Sequence, residues 1–81
     1  MSPQEIRAGV IDTLLGIAPE VEADQLIAGK ALRSQVDLDS MDWLNFILGL
    51  HQRFHMDIPE ADYAMLTTLD AVVAYLEARL D

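Results

Sequence analysis

The sequence contains no cysteine and no apolar run long enough to cross a membrane. Without a thiol, the chain has no cysteine nucleophile, no disulfide framework and no cysteine-based zinc site, and this composition fits a reducing cytoplasm. No stretch reaches the ~18 uninterrupted apolar residues of a membrane span, and no basic segment followed by an apolar one opens the chain. We therefore expect a cytoplasmic protein without a membrane segment.

Basic residues are also scarce. Five lysines and arginines stand against fourteen aspartates and glutamates, which gives a formal net charge of −9. This charge repels nucleic acids and anionic membranes, so we expect neither as a partner. Proteins with basic surfaces are the favoured partners, and acidity that serves only solubility is the alternative. The 81 residues leave room for one domain, assigned to residues 1–81, and for no deeply enclosed active site.

Hydrophobic spacing predicts two long helices in the first two-thirds of the chain. A helix start at Ser2 and apolar residues at helical spacing predict a first helix from about Pro3 to Gly16. A second helix is predicted over Ser40–Phe54. Between the two helices, residues 18–39 show no clean period, and we expect a long crossover loop whose apolar residues pin it to the core.

Two shorter helices are predicted after the second one. A short third helix should follow Pro59, because its first turn is acidic. Thr67 and Asp70 form a plausible capping pair for a fourth helix. The apolar stripe of this last helix consists of Leu69, Val72, Val73, Leu76 and Leu80. The expected fold is all-α: a four-helix bundle with a long loop between the first two helices and a short third helix.

Two apolar stripes run along the predicted helix Ser40–Phe54. The stripe assigned to the core consists of Trp43, Ile47, Leu50 and Phe54. The other stripe lies on nearly the opposite side and consists of Met41, Leu44 and Leu48. A domain of this size rarely encloses a helix completely, so we interpret the second stripe as an exposed docking patch. A central helix surrounded on all sides is the alternative.

His51 and His55 lie four residues apart on the side of the docking patch. Such a pair can ligate a metal only with further ligands, and Asp42 and Asp57 are not obviously placed to supply them. We therefore assign no metal site and interpret both histidines as solvated or facing a partner. In the second case, a change in their charge would alter the docking face.

Ser40 follows Asp39 at the head of the second helix, where unpaired backbone N–H groups favour negative charge. The serine is therefore a candidate for a phosphate ester. The alternative is that Asp39 or Ser40 only caps the helix. No general base accompanies Ser40 and no paired acid and base is recognisable, so the sequence does not indicate an enzyme.

From Asp39 onward, the chain resembles the acyl carrier protein family. The resemblance is carried by Asp-Ser-Met-Asp at 39–42, by Phe54, by Asp-Ile-Pro-Glu at 57–60, and by Leu-Thr-Thr-Leu-Asp at 66–70 with Tyr75 beyond. The N-terminal half matches only in length, first helix and crossover. The resemblance implies the four-helix acyl carrier fold and a carrier without catalytic activity.

The resemblance also implies a prosthetic group and its partners. Ser40 would be esterified by 4′-phosphopantetheine, which a phosphopantetheinyl transferase donates from coenzyme A, and Asp39 would belong to the attachment motif. Acyl groups would ride on the arm as thioesters. Acyl-loading and acyl-transferring enzymes would grip the partner-binding residues Met41, Asp42, Leu44, Leu48 and His51. The acyl chain would lie among Ile47, Leu50, Ile58, Leu66 and Tyr75, which are equally ordinary core residues. We expect a monomer.

The second helix departs from the pattern of fatty acid synthase carriers. Those carriers usually place glycine where this chain has Leu38, and they load the helix with glutamates. Here the exposed side carries Asn45, His51, Gln52 and Arg53. The departures favour a dedicated pathway for a polyketide, peptide or specialised lipid. A peptidyl or aminoacyl carrier is less favoured, because the glycine-rich segment before the serine is absent. An unmodified helical interaction module is the remaining alternative.

Overall fold

The computed structural model describes residues 1–80, and its secondary structure is helical. The helices are α1 (Pro3–Ile17), α2 (Leu32–Gln35), α3 (Ser40–Phe54) and α4 (Leu69–Arg79), with 3₁₀ segments at Ala23–Gln25 and Glu60–Met65. Across this range no strand forms, and an isolated antiparallel bridge joins Ala31 to Thr68. The all-α prediction is confirmed. The short third helix is a 3₁₀ segment that follows Pro59.

Side-chain caps determine where the first and last helices begin. The Ser2 hydroxyl accepts the N–H of Glu5 at 3.2 Å, and the Glu5 carboxylate accepts the N–H of Ser2 at 3.1 Å, which is the capping box predicted for α1. The prediction that Thr67 caps α4 is wrong by one residue. The Thr68 hydroxyl accepts the N–H of Ala71 at 2.9 Å instead, and α4 begins at Leu69.

The core lies between α1, α3 and α4. Helix α1 contacts both α3 and α4, and the segment Glu60–Met65 lies against α4. The inner face of α3 consists of Phe46, Ile47, Leu50 and Phe54, all of them buried. Trp43 was assigned to the core stripe but is only half-buried. Phe46, which belonged to neither predicted stripe, is completely buried and takes its place in the core.

The crossover of residues 18–39 is more regular than its sequence predicted, since it contains a 3₁₀ segment and α2. The Gln35 side chain accepts the N–H of Ile27 at 2.7 Å and donates to the carbonyl of Ile27 at 2.9 Å. The N–H of Leu32 donates to the carbonyl of Thr67 at 2.8 Å. The Gln35 bonds close the crossover on itself, and the bond to Thr67 joins the crossover to the residues that lead into α4.

None of the helices within residues 1–80 combines the length and the apolar composition that a bilayer crossing requires.

Candidate functional site

Asp39 caps α3, and its side chain faces the first turn. Its Oδ1 accepts the N–H of Asp42 at 2.8 Å, and Oδ2 of Asp42 lies 3.5 Å from the N–H of Asp39, which forms a reciprocal capping box. The expectation that Asp39 or Ser40 caps the helix is therefore correct for Asp39 and wrong for Ser40. Because Asp39 satisfies the helix terminus, the Ser40 hydroxyl is not needed there.

Ser40 is the first residue of α3 and is exposed. Of the three serines in the sequence, Ser2 caps α1 and Ser34 donates its hydroxyl to the carbonyl of Ala31 at 2.7 Å. The Ser40 hydroxyl has no hydrogen-bond partner among the residues that the structure describes. It is thus the serine whose oxygen is both accessible and uncommitted, which suits it to carry a phosphate ester.

The docking patch of α3, made of Met41, Leu44 and Leu48, is exposed. These side chains expose 66%, 39% and 42% of their area, on the same helix whose opposite face fills the core. The alternative of a fully enclosed central helix is therefore wrong. The patch begins one residue after Ser40 and extends along α3, so any protein that grips it lies beside the serine.

The two histidines have different surroundings. His51 is half-buried, and its Nε2 accepts the N–H of Ile58 at 3.1 Å, which ties α3 to the chain that follows it. His55 is exposed and ends α3 with a left-handed backbone at φ 52°. Within the described chain, no three histidine, aspartate or glutamate side chains gather where a metal ion could be held.

The residues assigned to an acyl pocket lie in the packed core. The set Ile47, Leu50, Ile58, Leu66 and Tyr75 is buried throughout. A cavity of about 340 Å³ lies beside the head of α3, between the crossover and the segment Glu60–Met65. Leu66 lines this cavity with Trp43 and Tyr63, and the other four members of the set do not. The pocket assignment stays a prediction.

Sequence reasoning missed one residue at this cavity, Arg33. It lines the cavity and reaches towards the segment that leads into α3. The available signal was its place among only five basic residues. The sequence around Arg33 gives no sign of a contact with α3, because Arg33 and Trp43 come together only in the folded chain.

Comparison with known proteins bears directly on the head of α3. The sequence model of one family, described as a phosphopantetheine attachment site, matches residues 9–76 and therefore includes Asp39 and Ser40. The acyl carrier protein of Lactobacillus acidophilus is 30% identical over 78 residues, which cover 96% of this chain and 96% of that protein. The chain belongs to the acyl carrier protein family.

Other acyl carrier proteins match this carrier over similar lengths. The meromycolate extension acyl carrier protein of Mycolicibacterium aurum is 30% identical over 79 residues, which cover 94% of this chain and 77% of that protein. The acyl carrier protein of Kineococcus radiotolerans is 27% identical over 75 residues, which cover 93% and 91%. Matches across most of the chain show the family, and identities of 27–30% do not identify the pathway that the carrier serves.

Family membership establishes what kind of molecule this acyl carrier is. Phosphopantetheine is the group that the family bears, and its members hold acyl groups without catalysing a reaction themselves. A phosphopantetheinyl transferase and acyl-handling enzymes are accordingly the partner classes of this carrier. The prediction that the chain is not an enzyme is confirmed on this ground.

Proposed function

We propose that Ser40 is the attachment residue of the phosphopantetheine arm and that residues 1–81 form one monomeric, cytoplasmic carrier domain, of which Asp81 lies outside the described residues. In the attachment reaction, the Ser40 oxygen would form a phosphodiester bond and the nucleotide part of coenzyme A would leave. The arm supplies the thiol that this chain lacks. Acyl groups would then be held as thioesters for transfer between enzymes.

The single observation that carries the proposal is the division of roles between Asp39 and Ser40. Asp39 holds the N–H of Asp42 at 2.8 Å, and this bond fixes the helix start without using the serine. Ser40 is left exposed at the end of α3, where the backbone dipoles favour an anionic ester.

The proposed partner surface is the docking patch, with Asp42 and His51 at its border. The patch combines exposed apolar area with the charge of −9 on the chain, so its partners should pair an apolar contact with a basic rim. The Nε2 of His51 already accepts the N–H of Ile58, so a partner could contact only the other atoms of its ring.

The pathway served is proposed to be a dedicated one, making a polyketide, peptide or specialised lipid. The support is the composition of α3, in which asparagine, glutamine, histidine and arginine stand on the outer side of a helix that has a single aspartate in its first turn. A relative that is 30% identical is named as the carrier for meromycolate extension, which supports a dedicated pathway for this chain.

Intact-protein mass spectrometry tests the attachment residue. The purified chain is incubated with coenzyme A, magnesium and a broad-specificity phosphopantetheinyl transferase, beside Ser40→Ala and Ser34→Ala. We expect a phosphopantetheine-sized gain in the parent and in Ser34→Ala, and none in Ser40→Ala. Ser34 is the matched control, because it is also exposed but its hydroxyl is bonded within the crossover.

Two results would contradict the proposal. A gain in Ser40→Ala would place the arm on another residue. An unchanged mass with several transferases would favour an unmodified interaction module that acts through the docking patch, and equal partner binding by the parent and Ser40→Ala would then support that alternative.

A further inference from the structure

The cavity beside the head of α3 has one charged residue in a mostly apolar lining. Trp43, Tyr63 and Leu66 contribute its apolar walls, and Arg33 contributes the charge. The Trp43 ring is held by the buried Phe46, whose ring centroid lies 5.3 Å away. Arg33 therefore lies against a wall that is anchored in the core.

The position of the Arg33 guanidinium is defined by two contacts. Its Nη2 donates to the carbonyl of Leu38 at 3.4 Å, and its central carbon lies 6.0 Å from the Trp43 ring centroid. Leu38 is two residues before Ser40, so these contacts direct the exposed cation towards the segment that leads into the attachment site. A guanidinium has five N–H donors, and the bond to Leu38 leaves most of them free.

Arg33 has no carboxylate partner in the described part of the chain. The ion pairs found there join Arg53 to Asp12 and Arg79 to Asp62. Arg7 and Lys30 also lack an ion pair there, and what distinguishes Arg33 from them is its contact with Leu38 and its place in the cavity lining. The guanidinium is therefore positioned and available for an anionic group from outside the chain.

The attachment site itself creates the need for a cation. The capping box places the carboxylates of Asp39 and Asp42 on either side of Ser40 in sequence, and the exposed Asp37 precedes them. A phosphate group beside carboxylates is destabilised by like-charge repulsion, while one opposite an arginine is stabilised. The helix terminus favours the anion, but the capping box already uses two of its N–H groups, so a cation beside the phosphate would add to its stabilisation.

We infer that Arg33 binds the phosphodiester of the arm on Ser40 and so fixes the direction in which the arm leaves α3, towards the cavity lined by Trp43 and Tyr63. This inference rests on the proposed attachment at Ser40. The group bound is the phosphodiester, which every loaded form of the carrier shares, and not a carboxylate that only some cargoes bring.

The test compares Arg33→Gln with Lys30→Gln, which removes the same charge from an exposed residue of the same crossover. Each chain is studied unmodified, with the bare arm, and with butyryl or succinyl cargo transferred from the corresponding coenzyme A thioester. Mass spectrometry first confirms loading. The readouts are the melting temperature and the ³¹P resonance of the phosphodiester.

We expect Arg33→Gln to lower the melting temperature of all three modified forms by roughly 1–6 °C more than it lowers that of the unmodified chain. Lys30→Gln should change modified and unmodified chains equally. The ³¹P resonance should move in Arg33→Gln and not in Lys30→Gln. Arg33→Lys keeps the positive charge, so its melting temperature and ³¹P resonance should lie between those of the parent and Arg33→Gln. High salt should abolish the difference, because the site is exposed.

Three results would overturn the inference. Equal losses in modified and unmodified Arg33→Gln, with an unmoved ³¹P resonance, would make Arg33 a purely structural residue. An extra loss confined to the succinyl form would assign the guanidinium to a cargo carboxylate. A chain that gains no mass would remove the proposed function and this inference together, whereas the first two results leave attachment at Ser40 intact.

Discussion

Two glycines allow α1 and α3 to approach each other closely. A Cβ atom at Gly49 would lie 2.7 Å from Cγ2 of Thr13, and one at Gly9 would lie 2.8 Å from Cζ of Phe54. Thr13 cannot easily turn away, because its hydroxyl donates to the carbonyl of Gly9 at 2.8 Å. By helix propensity Gly49 is the weak position of α3, and the packing of α1 explains why a larger residue does not stand there.

We predict that Gly49→Ala destabilises the fold although alanine is the better helix former. The added methyl group should cost about 1–3 kcal/mol by overpacking, against about 0.5–1 kcal/mol gained in helix propensity. Gly16→Ala is the matched control in α1, since nothing lies within 4 Å of its Cβ position, and it should raise the free energy of unfolding. Urea unfolding measures both. Equal stabilisation by the two variants would show that α1 and α3 are not in close contact at Gly49.

Helix α3 packs into the core with one face and exposes an apolar patch on the other. The buried face is large and aromatic, with Phe46 and Phe54 in the core. The docking patch on the outer face is apolar without being needed for packing, so removing its side chains should leave the fold largely unchanged. Substitutions in the patch can therefore be tested for their effect on phosphopantetheine transfer without unfolding the chain.

We predict that Leu44→Gln and Leu48→Gln slow phosphopantetheine transfer to Ser40 by roughly 5–30-fold, as expected when an apolar contact of about 1–2 kcal/mol is lost. Ile27→Gln, which changes another exposed apolar residue, in the crossover, should leave the rate unchanged. Mass spectrometry against time measures the rate, and thermal melts check the fold. Parental rates in both patch variants would remove the patch from transferase docking.

At the scale of the whole molecule, polar contacts join the segment Glu60–Met65 to α4. The Tyr75 hydroxyl donates to Oδ2 of Asp62 at 2.6 Å, and the Arg79 guanidinium lies 3.7 Å from the Tyr75 ring centroid. Burial, and then the bond to Asp62, raises the pKa of Tyr75 above its ordinary value of 10.0, while Arg79 opposes the shift. The folded chain therefore holds this proton more tightly than the unfolded chain does.

The direction of this pKa shift predicts how stability changes in alkali. Above pH ~10 the unfolded chain has released the Tyr75 proton while the folded chain retains it, so the free energy of unfolding falls as pH rises. Tyr75→Phe should be less stable than the parent by about 1–2 kcal/mol at pH 7. The gap between the two should narrow above pH ~10.

Unfolding of the parent, Tyr75→Phe and the control Tyr63→Phe at several pH values measures this effect. The control should keep the parental slope in alkali, because Tyr63 lines the cavity and takes no part in the contact with Asp62. A gap between Tyr75→Phe and the parent that stays constant up to pH ~11 would mean that the Tyr75 proton is not held by the fold.

Local signals in the sequence predicted the helices and the attachment motif. The capping box of Ser2 and Glu5 and the bounds of α3 are properties of residues within a few positions of one another, so they can be read before the chain is folded. The tripeptide Asp39-Ser40-Met41 is equally local. Its phosphopantetheine assignment came from resemblance to a family, and the family match confirms the prosthetic group.

Only the tertiary structure decided which residues these local elements bring together. Burial of Phe46 in place of Trp43, the role of Gln35 in the crossover and the placing of Arg33 beside Trp43 all depend on contacts between separate segments. Such contacts leave no periodic trace in the sequence, because the spacing along the chain is set by the crossover and not by a helical repeat. The sequence by itself therefore determined the family and its prosthetic group, and the packing of the crossover against α3 and α4 decided which side chains surround Ser40.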